Sequence, residues 1–314
     1  MAGWTAADIP EQTGRTALVT GANSGLGFHT ALALARQGAR VLMASRDTGR
    51  GEQALGKLTA AVPDAAAELV ALDLADLSSV RAAADDVARR CDQLDILVDN
   101  AGVMAPPYRQ TVDGFELQFG TNHLGHFALT GLLLPLLRAA PAGRVVSVSS
   151  LAHQGAGGIG FEDLQSERSY HPMRAYSQSK LANLMFAAEL DRRTRAAGSN
   201  LTSVAAHPGL AATNLMQSRP GAGHRRLRSL VVGFGFRIVG QSDARGAWPQ
   251  LYAATMPDVV GGEYFGPSRL GEWRGSPVRV DRSPAAKDMA SGVRLWDVSE
   301  RLTGVAYDLP APTA

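Results

Sequence analysis

A repeated alternation of short β-rich runs with longer runs rich in alanine and leucine constrains the fold most. The runs TALVT at 16–20 and RVLMAS at 40–45 are mainly apolar, which is typical of strands covered on both faces. We predict about seven strands, at 16–20, 40–45, 68–72, 96–99, 144–149, 201–206 and, as a short last one, 263–265. Helices are predicted at 25–37, 46–61, 78–91 with Ser78 as N-cap, 115–139 and 175–197.

This order of elements implies an α/β fold with a parallel sheet, because each helix returns the chain to the same edge of the sheet. Right-handed crossovers then produce the doubly wound Rossmann arrangement. No linker rich in Pro, Gly or Ser divides the chain before Leu210, so residues 1–314 are interpreted as a single domain. The stretch 210–240 mixes Gly, Pro, Arg and apolar residues and is interpreted as an insertion beside the sheet.

Charge and cysteine content exclude several classes of protein. The 314 residues carry 31 basic and 29 acidic side chains, and a net charge of +2 creates no broad field for nucleic acid. The single cysteine, Cys91, excludes an intrachain disulfide, and no apolar run reaches the ~20 residues that span a bilayer. We expect no signal peptide in residues 1–14 and a cytoplasmic protein. His123 and His126 stand three residues apart, but no metal site is predicted because no ligand cluster accompanies them.

A glycine-rich loop directly follows the first predicted strand, in the sequence TGANSGLG at 20–27. Glycines permit a tight turn and let the backbone approach a pyrophosphate, while the next helix supplies free N–H groups and the positive end of its dipole. The glycines here are spaced G-x-x-x-G-x-G, which differs from the general dinucleotide-binding pattern G-x-G-x-x-G. The alternative is that the glycines only form a tight turn and bind no cofactor. The candidate cofactor residues of this loop are Gly21, Asn23, Ser24, Gly25, Leu26 and Gly27.

The end of the second predicted strand indicates which nicotinamide cofactor binds. An acidic residue there would bond a ribose 2′-hydroxyl, whereas a basic one would accept a 2′-phosphate. Here Ser45 stands where the acid is expected and Arg46 follows, so NADP(H) is predicted in preference to NAD(H). The alternative is that Arg46 merely begins the next helix, and the adjacent Asp47 argues for caution.

The pair Tyr176 and Lys180 is the strongest chemical signal. Residues four apart lie on one face of a helix, which brings the ammonium close to the phenol. At ~5 Å and an effective dielectric of ~20, the ammonium would lower the phenol pKa by about two units. The tyrosine would then act as a general acid and base. The spacing alone also occurs by chance in many helices.

The glycine loop and this pair belong to an ordered set of motifs that resembles the classical short-chain dehydrogenase/reductase family over nearly the whole chain. The other matching motifs are Asp73-Leu74, Asn100-Ala101-Gly102, Asn122, Ser149-Ser150 and Pro208-Gly209 with Thr213. The chain looks most similar to the branch of retinol dehydrogenases and WW-domain oxidoreductases. That likeness rests on NSGLG at 23–27, SRD at 45–47, NHLGHF at 122–127 and VSSLAH at 148–153.

The resemblance implies a role for each matched residue. Tyr176 exchanges a proton with the substrate oxygen, Ser150 holds that oxygen, and Lys180 lowers the tyrosine pKa and bonds the nicotinamide ribose. Asn122 supports a water that links Lys180 to solvent. The remaining cofactor contacts would be Asp73, Leu74, Asn100, Ala101, Gly102, Pro208, Gly209 and Thr213, together with the glycine loop, Ser45, Arg46, Tyr176 and Lys180. Asp99 departs from the family, which usually has an uncharged residue before Asn100.

The resulting hypothesis is an NADP(H)-dependent oxidoreductase that interconverts an alcohol and its aldehyde or ketone. Two alternatives are a non-catalytic NADP(H) sensor that uses 210–240 for a partner, and an isomerase or dehydratase that retains its cofactor. We interpret 222–239 as a substrate lid over an apolar substrate, with membrane contact as the less favoured alternative. Pairing through helices 115–139 and 175–197 would form a homo-oligomer, while the C-terminal extension favours a monomer.

Overall fold

One eight-stranded sheet organises the computed structural model, which describes residues 3–210 and 241–311. Its strands are β1 Thr16–Thr20, β2 Arg40–Ser45, β3 Ala67–Ala71, β4 Ile96–Asp99, β5 Arg144–Val148, β6 Thr202–Ala206, β7 Tyr264–Arg269 and β8 Arg274–Arg279. They lie in the order β3-β2-β1-β4-β5-β6-β7-β8, and all neighbours up to β7 are parallel. The predicted doubly wound α/β fold is therefore confirmed.

The eighth strand was not predicted. It pairs antiparallel with β7 after a turn in which Leu270 and Glu272 have positive φ. Its sequence, RGSPVR, has only one apolar side chain besides proline, so it has no buried run that would mark it as a strand. An edge strand tolerates this composition because it lacks a second strand partner.

Two of the predicted helices begin at an aspartate that caps the first turn. Asp47 accepts a hydrogen bond from the Arg50 N–H, so the second helix begins at Thr48. Asp76, and not Ser78 as predicted, caps the third by accepting from the N–H groups of Ser78 and Ser79. The helices are α1 Gly25–Arg36, α2 Thr48–Ala61, α3 Leu77–Arg90, α4 Leu117–Phe119, α5 Gly125–Ala139, α6 Pro172–Ala196, α7 Asp243–Gly246, α8 Trp248–Thr255 and α9 Met289–Thr303.

Both faces of the sheet are covered. Alternate β1 residues belong to different cores: Val19 packs with α1, α2 and α8, whereas Leu18 packs with α3, α5 and the end of the chain. All five residues of β1 are consequently buried, as the apolar run predicted. Among the described helices, none is both long and apolar enough to cross a bilayer.

The helix predicted at 115–139 is interrupted. A π-helical turn, Gly120–Leu124, separates α4 from α5. At the start of α5, Gly125 lies so close to the Leu74 carbonyl that a side chain there would overlap it. The turn also brings Asn122 to the carboxyl edge of the sheet, beside Val103 in the loop that follows β4.

Helix α9 and the segment after it cover α5 and α6. Trp296 of α9 and Tyr307 pack against Phe127 and Phe186, and the Tyr307 hydroxyl donates to the Phe127 carbonyl at 2.6 Å. This packing occupies faces of the two helices through which pairing was predicted. The homo-oligomer stays a prediction.

Replacing Trp296 with alanine should lower the free energy of unfolding by about 3–5 kcal/mol, because its side chain is only 2% exposed and leaves a cavity between three helices. Trp273→Ala is the matched control, since that indole is 44% exposed and its removal should cost only about 0.5 kcal/mol. Urea denaturation of both variants measures the difference. Equal losses would contradict the account of α9 as part of the core.

Candidate active site

The predicted site residues gather at the carboxyl edge of the sheet, where open α/β sheets bind their ligands. A cleft crosses the point between β1 and β4 at which the strand order reverses. It is lined by Gly21, Asn23–Gly27, Ser45, Arg46, Asp73, Leu74 and Asn100–Gly102, all of which were predicted, and by Asp47, Arg50, Leu72, Val103 and Thr121, which were not.

The glycine loop forms the floor of this cleft. Gly21 has φ +66°, and a side chain on Gly27 would overlap the Gly21 carbonyl, so both positions require glycine. Ser24 is the N-cap of α1, but its side chain makes no capping hydrogen bond, so the first-turn N–H groups face the cleft without that partner. The hydroxyl of Thr121 on the cleft wall likewise has no partner in the described part of the chain. These features fit a dinucleotide whose pyrophosphate lies on the helix N-terminus.

Two arginines flank the cleft at the end of β2. Ser45 points inward, and its hydroxyl donates to the Asp47 carbonyl at 2.9 Å. The Asp47 carboxylate, which had argued against NADP(H), caps α2 and lies 3.4 Å from the Arg50 guanidinium. Arg46 and Arg50 are both exposed and both line the cleft, so the cleft wall here presents two guanidinium groups.

The four proposed catalytic residues come from three elements. Asn122 lies in the π-helical turn, Ser150 caps the 3₁₀ helix Leu151–Gly155 after β5, and Tyr176 and Lys180 lie on one face of α6. The Lys180 ammonium is 5.8 Å from the centre of the Tyr176 ring and donates to the Val148 carbonyl at 3.0 Å. The structure brings these side chains together beside the cleft.

Gly102 marks where the cleft meets the catalytic residues. A Cβ atom on it would lie 3.1 Å from the Asn122 Oδ1 atom and 3.5 Å from the Lys180 Nζ atom. Ser149 is not part of this group, because its hydroxyl donates to the Lys180 carbonyl at 2.7 Å and turns inward, as predicted. Ser150 is therefore the serine that faces the tyrosine.

Burial controls the protonation of the tyrosine–lysine pair. It raises the pKa of the Tyr176 phenol to about 12, against a smaller lowering by the neighbouring Ser150 hydroxyl. It lowers the pKa of the Lys180 ammonium to about 8. The change in the pKa of Tyr176 is opposite to the predicted one, because loss of hydration outweighs the hydrogen bond from Ser150. Tyr176 is thus a protonated acid at neutral pH.

The Asn122 side chain is held from three directions. Its Oδ1 atom accepts from the Val103 N–H at 2.8 Å, and its Nδ2 donates to the Val103 carbonyl and the Ser179 hydroxyl. The Ser179 hydroxyl in turn donates to the Tyr176 carbonyl at 2.8 Å. Ser179 was not predicted, since a serine between Tyr176 and Lys180 has no distinctive sequence signal.

The far end of the site follows β6. Gly209 has φ +65°, and a side chain there would overlap the backbone carbonyls of Glu272 and Trp273. The Leu210 N–H donates to the Trp273 carbonyl at 2.9 Å, and the Gln241 N–H donates to the Leu210 carbonyl at 3.0 Å. Thr213 and the lid predicted within 210–240 lie outside the described residues.

Asp99, the departure from the family pattern, is a buried structural side chain. Thr130 donates to its Oδ2 atom at 3.1 Å, and burial raises its pKa to about 8. His123 and His126 are also buried, and their pKa values fall to about 3 and about 4 for the same reason. Within residues 3–210 and 241–311, no three His, Cys, Asp or Glu side chains converge on a metal-sized site.

Comparison with known proteins agrees with the fold and with the order of the motifs. A model of the short chain dehydrogenase family matches residues 15–222. Retinol dehydrogenase 14 from Mus musculus is 43% identical over 311 residues, which cover 93% of this chain and 86% of the relative. Polyprenol dehydrogenase from Mus musculus is 40% identical over 302 residues, with coverage of 94% and 86%.

A solved structure shows the same architecture. An uncharacterised protein from Mycobacterium Paratuberculosis superposes with a TM-score of 0.79 at 47% identity, covering 98% of this chain and 100% of that one. Family model, curated relatives and solved structure thus agree with the motif-based resemblance. The chain belongs to the short-chain dehydrogenase family and lies closest to its retinol dehydrogenase branch.

Proposed function

We propose that this protein is an NADP(H)-dependent oxidoreductase that interconverts an apolar alcohol and its aldehyde or ketone. One observation carries the proposal most: the Lys180 ammonium lies beside Gly102 of the cofactor cleft, 5.8 Å from the centre of the Tyr176 ring. The Ser150 side chain lies next to the Tyr176 phenol. A substrate oxygen at that point would face a buried phenol and a hydroxyl. The cofactor, when bound, supplies or accepts the hydride.

The side chains supply the proton chemistry. In carbonyl reduction, the Tyr176 O–H donates its proton to the substrate oxygen, which becomes the alcohol hydroxyl. Ser150 hydrogen-bonds the same oxygen and orients the carbonyl. The Lys180 ammonium stabilises the phenolate that remains, and Asn122 holds the adjoining backbone through Val103. In alcohol oxidation the phenolate takes the proton back.

Two arginines support NADP(H) as the cofactor. Arg46 precedes α2 and Arg50 lies in its first turn, and both line the cleft wall where the adenosine ribose of a bound dinucleotide would lie. A 2′-phosphate could pair with both guanidinium groups, whereas a 2′-hydroxyl offers no anion and would leave Arg50 with the Asp47 carboxylate alone. Asp47 is a weak candidate for bonding a ribose 2′-hydroxyl, because its carboxylate already caps α2.

The relatives support an apolar substrate. Retinol and polyprenol, the compounds in the names of two relatives, are both isoprenoid alcohols. The test is a panel of retinoids, long-chain aldehydes, ketones and steroids, followed at 340 nm with NADPH. We expect turnover to be fastest with an isoprenoid aldehyde. Tight NADPH binding with no turnover of any compound would instead favour a cofactor sensor.

The rate of carbonyl reduction should depend on a single basic group. Because the pKa of Tyr176 lies near 12, its phenol stays protonated throughout the accessible range. The Lys180 ammonium, with a pKa of about 8, is present below that pH and lost above it. We therefore expect kcat/KM to be flat from about pH 6 to 7.5 and to fall about tenfold per unit above pH 8.

Stopped-time assays in buffers of constant ionic strength measure this profile. Lys180→Met should remove the basic limb together with most of the rate, because no ammonium remains to titrate. A limb centred near pH 10, the range of an unperturbed lysine, would contradict the assignment of Lys180.

A further inference from the structure

A buried histidine connects the cofactor cleft with the catalytic residues. His126 lies one turn after Asn122 in α5 and is 2% exposed. Its Nε2 atom is 2.9 Å from the Thr20 hydroxyl at the end of β1, and its Nδ1 atom is 3.0 Å from the Asn122 carbonyl. The ring therefore bridges the strand before the glycine loop and the turn that carries Asn122.

The direction of each hydrogen bond follows from the groups involved. The Asn122 carbonyl can only accept, so the His126 Nδ1 atom carries a proton. Burial lowers the pKa of His126 to about 4, so the ring is neutral and its Nε2 atom accepts from the Thr20 hydroxyl. That proton has one longer alternative, the Val98 carbonyl at 3.3 Å.

The Thr20 oxygen then holds the cofactor wall. It accepts from the backbone N–H groups of Asn100 and Ala101, both at 2.9 Å. On the other side, Asn122 bonds Ser179, whose hydroxyl donates to the Tyr176 carbonyl. One buried network thus runs from the cleft wall to the catalytic helix, and His126 lies at its centre.

We propose that His126 is a positioning residue, whose two hydrogen bonds fix the Asn100–Ala101 wall of the cofactor cleft relative to Asn122. This inference rests on the proposed function, because it assigns the network to cofactor binding and turnover. Without these two hydrogen bonds, the Asn100–Ala101 wall and the catalytic helix would each remain folded, but their positions relative to each other would no longer be fixed. Both NADPH affinity and kcat should then fall.

His123 provides a matched control in the same helical region. It is buried to the same degree, but its Nε2 atom contacts the Ser299 hydroxyl at 2.9 Å and its ring packs against Phe119 and Phe186. It contacts the core beneath α9 and none of the cofactor wall. A purely structural role for His126 would make the two histidines equivalent in their effect on function.

The experiment compares His126→Phe, His126→Gln and His123→Phe with the unaltered protein. Phenylalanine keeps a ring and removes both hydrogen bonds, whereas the glutamine amide offers one donor and one acceptor and should restore them. The readouts are hydrogen exchange of the Asn100 and Ala101 amides without cofactor, the Kd of NADPH by fluorescence, the kcat and KM of the preferred carbonyl, and Tm.

For His126→Phe we expect exchange about tenfold faster, NADPH binding about tenfold weaker and kcat about tenfold lower, with the carbonyl KM within about twofold. For His126→Gln, the exchange rates, the Kd of NADPH and kcat should stay within about threefold of those of the unaltered protein. His123→Phe should lower only Tm. Equal behaviour of the two phenylalanine variants, or a tenfold loss in a glutamine variant of normal Tm, would overturn the proposal.

The glutamine comparison still decides the matter if the His126→Phe protein does not fold. If the unaltered protein turns over no carbonyl, the proposed function fails on its own. The exchange rates and NADPH affinities then test His126 independently.

Discussion

Tyr176→Phe should lower kcat by about 100- to 10,000-fold and leave the Kd of NADPH within about threefold, the range expected for removal of a general acid. The substitution deletes one oxygen from a side chain that is 7% exposed, so the ring still fills its place on α6. Only the proton donor is lost. Steady-state assays at 340 nm and fluorescence titration with NADPH measure the two quantities.

The matched control for this variant is Tyr252→Phe. The Tyr252 hydroxyl also donates one hydrogen bond, to the Asp258 carboxylate at 2.8 Å, but on α8 and away from the cleft. Its loss should change kcat by less than about twofold. A Tyr176→Phe enzyme that keeps a tenth of its activity, or an equal loss in both variants, would remove Tyr176 from the mechanism.

Arg46→Ala should lower kcat/KM with NADPH by about 10- to 100-fold while kcat/KM with NADH changes less than about threefold, because each charge-assisted bond to a phosphate contributes about 1.5–3 kcal/mol. Arg50→Ala should also lower kcat/KM with NADPH more than kcat/KM with NADH. The loss should be smaller than for Arg46→Ala, since Asp47 already pairs with the Arg50 guanidinium. The double variant should lose most of the discrimination. Initial rates with each cofactor measure the ratio.

Arg36→Ala controls for the removal of a positive charge. Arg36 is an exposed residue in the last turn of α1, at the end of that helix away from the glycine loop, and it does not line the cleft. Its removal should leave the NADPH to NADH ratio within about twofold. A better rate with NADH in the unaltered protein would contradict the cofactor assignment outright.

Sequence patterns predicted those features of the fold and the site that depend on residues close together in the chain. The buried run of β1, the glycine turn at Gly21 and the spacing of Tyr176 and Lys180 each follow from neighbouring residues. Strand β8 lacks an apolar run, so only its pairing with β7 identifies it. Arg50 did have a local signal, since it is a second basic residue close to the junction between the second strand and its helix.

The protonation of the site could not be predicted, because it depends on distant chain segments. The spacing of Tyr176 and Lys180 predicted a lowered phenol pKa, but elements far apart in sequence bury both groups and reverse the change. The same holds for the bridge between Thr20 and His126, which joins residues 106 positions apart. Pairings of this kind exist only after the sheet and α5 have packed.

The hydrogen bond between Gln241 and Leu210 has a consequence for engineering. Leu210 and Gln241, the described residues on either side of 211–240, thus lie side by side next to Trp273. A segment from a homologue can therefore be grafted between two attachment points that one hydrogen bond joins. Under the proposal that 222–239 covers the substrate, chimeras that differ only in this segment should change which carbonyl compounds are accepted and keep the cofactor preference.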